Sequence, residues 1–179
     1  MQSLTPDETI LGLLAARARH GYQLLECFHD PAQLGSVWHL SASQIYAVLK
    51  RLAQQGHISG QEVESSDAPP RMEYCLTDAG RVRLDTWLHD EHPSWSIRHV
   101  RVEFLSRLFI ARLLNKPTIP IVKYQKAACR QRLKELIVER ERTLPGMSFL
   151  TLELVIAQLS AVLQWIDRCE LVPREDAEI

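Results

Sequence analysis

Apolar and polar positions alternate in a way that predicts short elements in the first half of the chain and long helices in the second. Apolar residues recur at helical spacing in three segments before residue 55, and again after residue 77. Two extended stretches, 57–65 and 71–77, flank residues 66–70, whose two prolines favour a loop. The predicted order is helix, helix, helix, strand, strand, helix.

The beginnings and ends of the first two helices follow from local signals. Thr5 and Glu8 have the spacing of a capping box, so a first helix is expected from there to about Arg17. A short second helix resumes after Gly21 and stops at Pro31. The connector 31–40 lacks a helical period and is expected to hold at most a brief extended segment.

The best-defined element is the segment 41–56. Ser41 and Gln44 have the spacing of a second capping box, and Gly56 suits the left-handed conformation that ends a helix. The apolar residues of this segment fall on one face, namely Ile45, Val48, Leu49 and Leu52. The opposite face is small, polar and cationic, as a helix that enters a DNA groove requires.

After residue 91 the pattern changes. The sequence HPSWS at 92–96 breaks it, and helices are predicted at about 98–115, 118–142 and 148–170. The last of these has apolar residues close to a heptad repeat. Thr77 is the expected N-cap of the helix that precedes the break.

Composition supports a soluble globular protein. The 179 residues are 46% hydrophobic and 24% charged, without an uninterrupted apolar run of membrane-spanning length. The first residues lack the basic end and apolar centre of a signal peptide, so a cytoplasmic location is expected. The four cysteines form no CxxC pair and are expected to be reduced.

Charge is unfavourable for non-specific DNA binding in the first half. Residues 1–90 carry seven Lys or Arg against eleven Asp or Glu, a formal charge of −4, whereas the remainder carries +3. Any affinity for DNA must therefore come from a few well-placed cations, doubled by a dimer.

Five signatures in order resemble PadR-type transcriptional regulators. They are ILGLLA at 10–15, HGY at 20–22, SxSQIYxxLKRLxxxGxI at 41–58, PPRxxYxLTxAGR at 69–81 and WL at 87–88. More weakly, IRHVRVEFLSRLFIARLL at 97–114 and Trp165 resemble the virulence-activator type of C-terminal domain in that family. The resemblance spans residues 10–88 almost continuously.

The resemblance implies a mainly α fold with an N-terminal winged helix-turn-helix and a C-terminal, all-helical dimerisation domain. The winged domain would span residues 1–91, with three helices, a two-stranded wing and a further helix. A linker at 92–97, the dimerisation domain at 98–171 and a disordered tail at 172–179 would follow.

The resemblance implies a sequence-specific transcriptional regulator that binds an inverted-repeat DNA operator as a homodimer. Repression is expected rather than activation. The residues expected to contact DNA are Tyr22, Ser41, Ser43, Gln44, Tyr46, Ala47, Lys50, Arg51 and Arg71. Those expected in the dimer interface are Phe104, Leu108, Leu152, Val155, Ile156, Leu159, Val162, Leu163 and Ile166. Trp95 and Trp165 are candidates for a small aromatic effector, although packing in a core is the simpler interpretation.

Other classes have less support. His89, His92 and His99 lie close in sequence, but their spacing dictates no complete set of metal ligands, so neither a metal nor a cofactor is expected. No catalytic triad or glycine-rich phosphate loop suggests an enzyme. The alternative that stays open is a small-molecule sensor or protein-interaction module that binds DNA weakly.

Overall fold

A computed structural model describes residues 4–65 and 68–169 of the chain. It divides into two compact units. The first is made of Met1–His89 and Leu105–Lys116, and the second of Asp90–Phe104 and Pro117–Ile179. The two units are described separately below.

The first unit contains four helices and a small sheet before residue 89, in the predicted order apart from one additional short strand. The helices are α1 (Asp7–Ala16), α2 (Gly21–His29), α3 (Ala42–Gln54) and α4 (Asp78–Leu88). The strands are β1 (Arg19–His20), β2 (Ile58–Ser65) and β3 (Ala68–Leu76), antiparallel in the order β1-β3-β2. This is a winged helix-turn-helix, in which β2 and β3 form the wing.

Two local predictions were wrong, and one strand was missed. Helix α1 follows Pro6 without the side-chain cap predicted from Thr5, because Glu8, the expected partner of Thr5, is bound to Arg83 instead. Strand β1 was not predicted; it forms because the open edge of β3 offers backbone partners to Arg19 and His20. The connector 31–40, which the structure describes throughout, holds no strand. Strand β3 begins at Ala68 and not at residue 71, so residues 68–70 belong to the strand and not to the predicted wing loop. Residues 66–67 of that predicted loop lie outside the described part of the chain.

Helix α3 begins and ends as predicted. The Gln44 amide donates to the Ser41 hydroxyl, and the Ser41 amide donates to the Gln44 side chain, which completes the capping box. Gly56 ends the helix with φ +73°, a conformation that costs a glycine little. The four predicted apolar residues of the helix are all buried.

The cap of α4 also ties the helix to the end of α3. As predicted, the Thr77 hydroxyl accepts a hydrogen bond from the Gly80 amide at 3.1 Å. It also donates to the carbonyl of Gly56 at 2.7 Å. One hydroxyl therefore satisfies two groups that helix ends leave without an intrahelical partner.

The long helix predicted at 98–115 is divided. It comprises α5 (Ile97–His99), a π-helical turn (Val100–Phe104) and α6 (Leu105–Leu113), and α6 belongs to the first unit. There, Ile110 packs directly against Gly12 of α1. The Trp38 indole donates to the Ser106 hydroxyl at 2.8 Å.

The domain boundaries predicted from sequence, with the first domain ending at residue 91, do not match this division. A break in pattern at 92–96 looked like the boundary, but the chain returns to the first unit at Leu105. The physical reason is that α6 covers the apolar face of α1, on which Gly12 leaves room for Ile110.

The second unit is built on α7 (Ile119–Glu141) and α8 (Met147–Cys169), which pack against each other. Ion pairs Arg140–Glu153 and Lys126–Asp167 show that the two helices run in opposite directions. Their shared core contains Ile121, Cys129, Leu136, Leu159 and Ile166.

Candidate nucleic-acid interface

The outward face of α3 is an exposed surface on a helix whose position is well fixed. Ser43, Ala47 and Lys50 are exposed there, and half of the Tyr46 side chain is accessible. They occupy the side opposite the four buried apolar residues. The helix is therefore anchored by its core and presents a short polar stripe to a partner.

Two of the predicted contact residues are already engaged in the helix cap. The Gln44 Oε1 atom accepts from the Ser41 amide at 2.8 Å and from the Ser41 hydroxyl at 3.1 Å. A bidentate pair of glutamine with adenine uses this same oxygen. A pairing of Gln44 with adenine would therefore compete with these two bonds from Ser41.

Arg51 was expected to contact DNA, but the structure turns its guanidinium toward α1. The Nε and terminal nitrogens donate to the two oxygens of Asp7 at 3.1 and 2.6 Å. Such a bidentate pair is among the stronger charged hydrogen bonds. The sequence could not reveal this partner, which is 44 residues away.

Arg83 of α4 joins the same cluster. It donates to Glu8 at 2.7 Å, lies 3.7 Å from Asp7 and bonds the Gln55 side chain at 3.2 Å. The cluster of Asp7, Glu8, Arg51 and Arg83, which we call the α1 charge cluster, links the start of α1 to the last turn of α3 and the middle of α4. It neutralises two of the seven cations of residues 1–90.

A cleft of about 590 Å³ lies beside α3 and brings together three residues predicted to touch DNA. It is lined by His20, Gly21, Tyr22, Tyr46, Arg71, Met72 and Tyr74. The Tyr22 side chain is 64% exposed. The cleft thus combines phenol hydroxyls with one guanidinium, which together suit a phosphodiester.

Gly21 makes this arrangement possible. A Cβ atom at this position would lie 2.8 Å from Cζ of Tyr46, so any larger residue would push the tyrosine ring out of its place. The absence of a side chain lets the Tyr46 ring lie across the start of α2. The glycine of the HGY signature therefore shapes the cleft as well as starting the helix.

Tyr74 is a cleft residue that sequence reasoning missed. Burial, and to a lesser degree the neighbouring Tyr46, raises the pKa of its phenol above the ordinary value, so it stays a hydrogen-bond donor. The signal that could have found it is the alternation along β3, which places Met72 and Tyr74 on one side of the strand. His20 was missed for a similar reason, since β1 was not predicted.

The two candidate effector residues each have a partner within the second unit. Trp165 packs edge-on against Phe104, with ring centres 6.0 Å apart. Trp95 is 37% exposed, and the Arg132 guanidinium carbon lies 5.0 Å from its ring centre. Trp165 therefore has the packing role that was the simpler interpretation, whereas Trp95 keeps an accessible surface.

Four of the nine predicted interface residues are buried inside a single chain. Phe104, Leu108, Leu159 and Ile166 are at most 6% exposed, so they have little surface to offer a partner. Leu152, Val155, Ile156, Val162 and Leu163 are half-buried. The heptad pattern identified the seam of α8, but much of that seam faces the chain's own core.

A second, exposed stripe runs along α8 at heptad spacing. It consists of Met147, Leu150, Leu154, Ala157 and Ala161, which we call the outer stripe. The first three are 77%, 60% and 59% exposed. Because it has apolar residues on both sides, α8 has the length and composition of a membrane-crossing helix. Its most apolar part has a mean hydropathy of 1.7, and 11% of the residues in that part are buried.

The histidines near residue 90 have ordinary polar partners. His89 Nδ1 lies 2.8 Å from the Asp85 carbonyl oxygen, and His99 Nδ1 lies 2.8 Å from the Ser96 hydroxyl. Within residues 4–65 and 68–169, no group of three or more His, Cys, Asp or Glu side chains is arranged to hold a metal ion.

The fold and its exposed third helix define a winged helix DNA-binding protein. The model of the transcriptional regulator PadR-like family matches residues 10–86. The Negative transcriptional regulator PadR of Bacillus subtilis (strain 168) is 31% identical over 128 residues, which cover 71% of this chain and 68% of that protein. The chain belongs to the PadR-like family of transcriptional regulators, and the family assignment and the mainly helical fold predicted from sequence are confirmed.

Solved structures of PadR proteins are also similar. Bacillus subtilis PadR in complex with operator DNA is 23% identical, with 91% of this chain and 96% of that chain covered and a TM-score of 0.47. The same protein in complex with p-coumaric acid is 22% identical, with 92% of each chain covered and a TM-score of 0.43. BC1756 from Bacillus cereus is 19% identical, with 93% and 94% covered and a TM-score of 0.45.

Family membership settles the broad class. The protein is a DNA-binding transcription regulator and not an enzyme.

Proposed function

We propose that this protein is a repressor that binds an inverted-repeat operator as a homodimer, with α3 of each protomer in a major groove. The observation that carries the proposal is the exposed polar stripe of α3, on a helix whose start and buried face are both fixed. Two-fold symmetry of the protein would match the symmetry of the operator. A cytoplasmic location follows from the same proposal.

Within this proposal, base edges are read by Ser43, Ala47 and Lys50. Lysine can donate to guanine, and a small residue such as alanine can approach a thymine methyl group. The cleft receives a backbone phosphate, bound by Arg71 and by tyrosine hydroxyls. Because residues 1–90 carry a net charge of −4, these few donors have to supply most of the attraction.

The dimer is proposed to form through the outer stripe of α8. The small residues Ala157 and Ala161 permit close approach of a second helix, and the larger Met147, Leu150 and Leu154 supply apolar area. Heptad spacing is what a helix needs to pack along a partner helix. Leu150→Glu with Leu154→Glu should convert the dimer to a monomer in sedimentation and weaken DNA binding.

A matched control exists on α7. Lys134→Glu with Val138→Glu introduces charge at two exposed positions outside the outer stripe and should leave the oligomeric state unchanged. A monomeric wild-type protein would contradict the proposed dimer, as would a dimer that survives the change at Leu150 and Leu154.

The test of DNA recognition uses a duplex from the region upstream of the protein's own gene. Lys50→Ala should weaken specific binding by about 1–3 kcal/mol, roughly five- to 150-fold. Lys134→Ala removes the same charge from an exposed site on α7 and should have little effect. If a Gln44→Ala, Lys50→Ala double variant retarded the upstream duplex in a gel as strongly as the wild type does, the assigned site would be ruled out.

The second candidate function is a response to a small aromatic molecule. The observation that favours it is the accessible part of the Trp95 ring, with the Arg132 guanidinium beside it. An aromatic carboxylate bound there would share Arg132 with Glu135 and Glu139, which are 3.1 and 3.7 Å from its terminal nitrogens. Titration with p-coumaric acid should then quench tryptophan fluorescence, and Trp95→Phe should abolish the change. Quenching with no measurable operator binding at physiological salt would favour a sensor over a repressor.

A further inference from the structure

The α1 charge cluster binds one of the two cations of α3, the helix proposed to enter the major groove. Arg51 follows Lys50 on α3, yet the two side chains have different surroundings. Lys50 is exposed, whereas the Arg51 guanidinium is bound by both oxygens of Asp7. The two adjacent cations appear equivalent in the sequence. In the structure, Lys50 is available to a partner, whereas the charge of Arg51 is neutralised by Asp7.

The burial of Asp7 makes this pairing persistent. Only 4% of the Asp7 side chain is exposed, compared with 42% of the Arg51 side chain. If Arg51 moved to a DNA phosphate, Asp7 would lose its main counter-ion while remaining inside the protein, which is unfavourable. Arg83 would be the remaining cation near Asp7, at 3.7 Å, and it is itself bound to Glu8.

The consequence concerns DNA of any sequence. Binding to non-specific DNA depends almost entirely on how many phosphates the protein's cations neutralise. Arg51 can reach a phosphate only if Asp7 is left buried without its main counter-ion. Arg51 therefore adds little to non-specific binding. Operator affinity also uses base contacts from α3, so it depends less on the number of cations.

We propose that Asp7 is a specificity-determining residue: by binding Arg51, it lowers affinity for non-operator DNA and so raises the ratio of operator to non-specific binding. This inference rests on the proposed DNA recognition by α3. Asp7 acts through Arg51 and does not touch DNA.

The experiment measures anisotropy of a labelled scrambled duplex, and of an equally long duplex from the upstream region, between about 50 and 200 mM KCl. Asp7→Asn keeps the size of the side chain and removes its charge. It should steepen the salt dependence for scrambled DNA, with the slope of log K against log[KCl] rising in magnitude by up to about 0.9 per protomer. Affinity for scrambled DNA should rise several-fold, and the operator preference should fall by at least about threefold.

Three matched variants identify the cause. Asp7→Asn combined with Arg51→Gln should return the slope to the wild-type value, because the freed cation is removed. Glu8→Gln makes the same carboxylate-to-amide change in the cluster, but it leaves the Asp7–Arg51 pair intact and should not alter the slope. Lys50→Gln should reduce the slope by about 0.9 per protomer.

Arg51→Gln alone keeps the inference testable if Asp7→Asn does not fold, as judged by circular dichroism. Because Arg51 is already neutralised, its loss should leave the slope for scrambled DNA unchanged. A decrease like that of Lys50→Gln would overturn the inference, as would a folded Asp7→Asn protein with a wild-type slope. A wild-type protein without preference for the upstream duplex would instead contradict the proposed function itself.

Discussion

Replacing Gly12 by alanine tests why α6 belongs to the first unit. Gly12 lies in the middle of α1, where a Cβ atom would be 2.8 Å from both Cγ1 and Cδ1 of Ile110, with Cγ2 closer still. Ile110 is fully buried, and its Cγ2 is attached directly to the branched Cβ. The side chain therefore has little freedom to move aside, and the helix itself must shift.

Two opposing effects determine the magnitude. Alanine is favoured over glycine inside a helix by about 1 kcal/mol, whereas overpacking a tight core costs about 1–3 kcal/mol. Because the contact is with a buried, branched side chain, we expect overpacking to win and the free energy of unfolding to fall by about 1–2 kcal/mol. For a chain of this size, the melting temperature should fall by roughly 2–4 °C for each kcal/mol.

Urea unfolding of four variants measures both terms. Gly12→Ala, Ile110→Ala and the double variant form a cycle, in which a favourable coupling of at least about 1 kcal/mol is expected because the new methyl group occupies space vacated by Ile110. Gly146→Ala, where a Cβ meets nothing within 4 Å, is the control and should be close to neutral. A Gly12→Ala protein stabilised by the full helix-propensity gain, or a coupling near zero, would refute the reasoning.

Ser41→Ala should cost about 1 kcal/mol in thermal unfolding because α3 loses its N-cap, and an equal stability would show that the capping box contributes nothing. Gly56→Ala should cost a similar amount because φ is +73°, whereas no loss would mean that the helix end relaxes freely. Burial raises the pKa of the Cys27 thiol, so iodoacetamide should label the half-buried Cys75 faster in the native protein at pH 8; equal rates would contradict this. Since the unfolded state loses the Cys27 proton first, that thiol's contribution to stability should decrease as pH rises above about 8.5. The slope should be smaller in Cys27→Ala, which keeps the similar contribution of the buried Cys129 thiol.

The sequence by itself determined the elements whose signals are local. The capping box of Ser41 and Gln44 and the glycine at residue 56 involve residues within one helix and its ends, so their geometry depends on neighbours along the chain. The buried face of α3 follows from the helical period in the same way. These features, and the order of the four helices and the two long strands in the winged domain, could therefore be predicted from sequence.

Contacts between distant residues were decided only by the tertiary structure. Arg51 looks like a second DNA-facing cation until Asp7 is found beside it, and Tyr74 joins the cleft only because β1 and α3 lie near it. The apolar face of α8 illustrates the same limit, since a heptad pattern identifies apolar sides but not which of them the chain itself covers. Hydrophobic periodicity predicts which face of a helix or strand is apolar. Which distant residues pack against that face depends on how the whole chain folds.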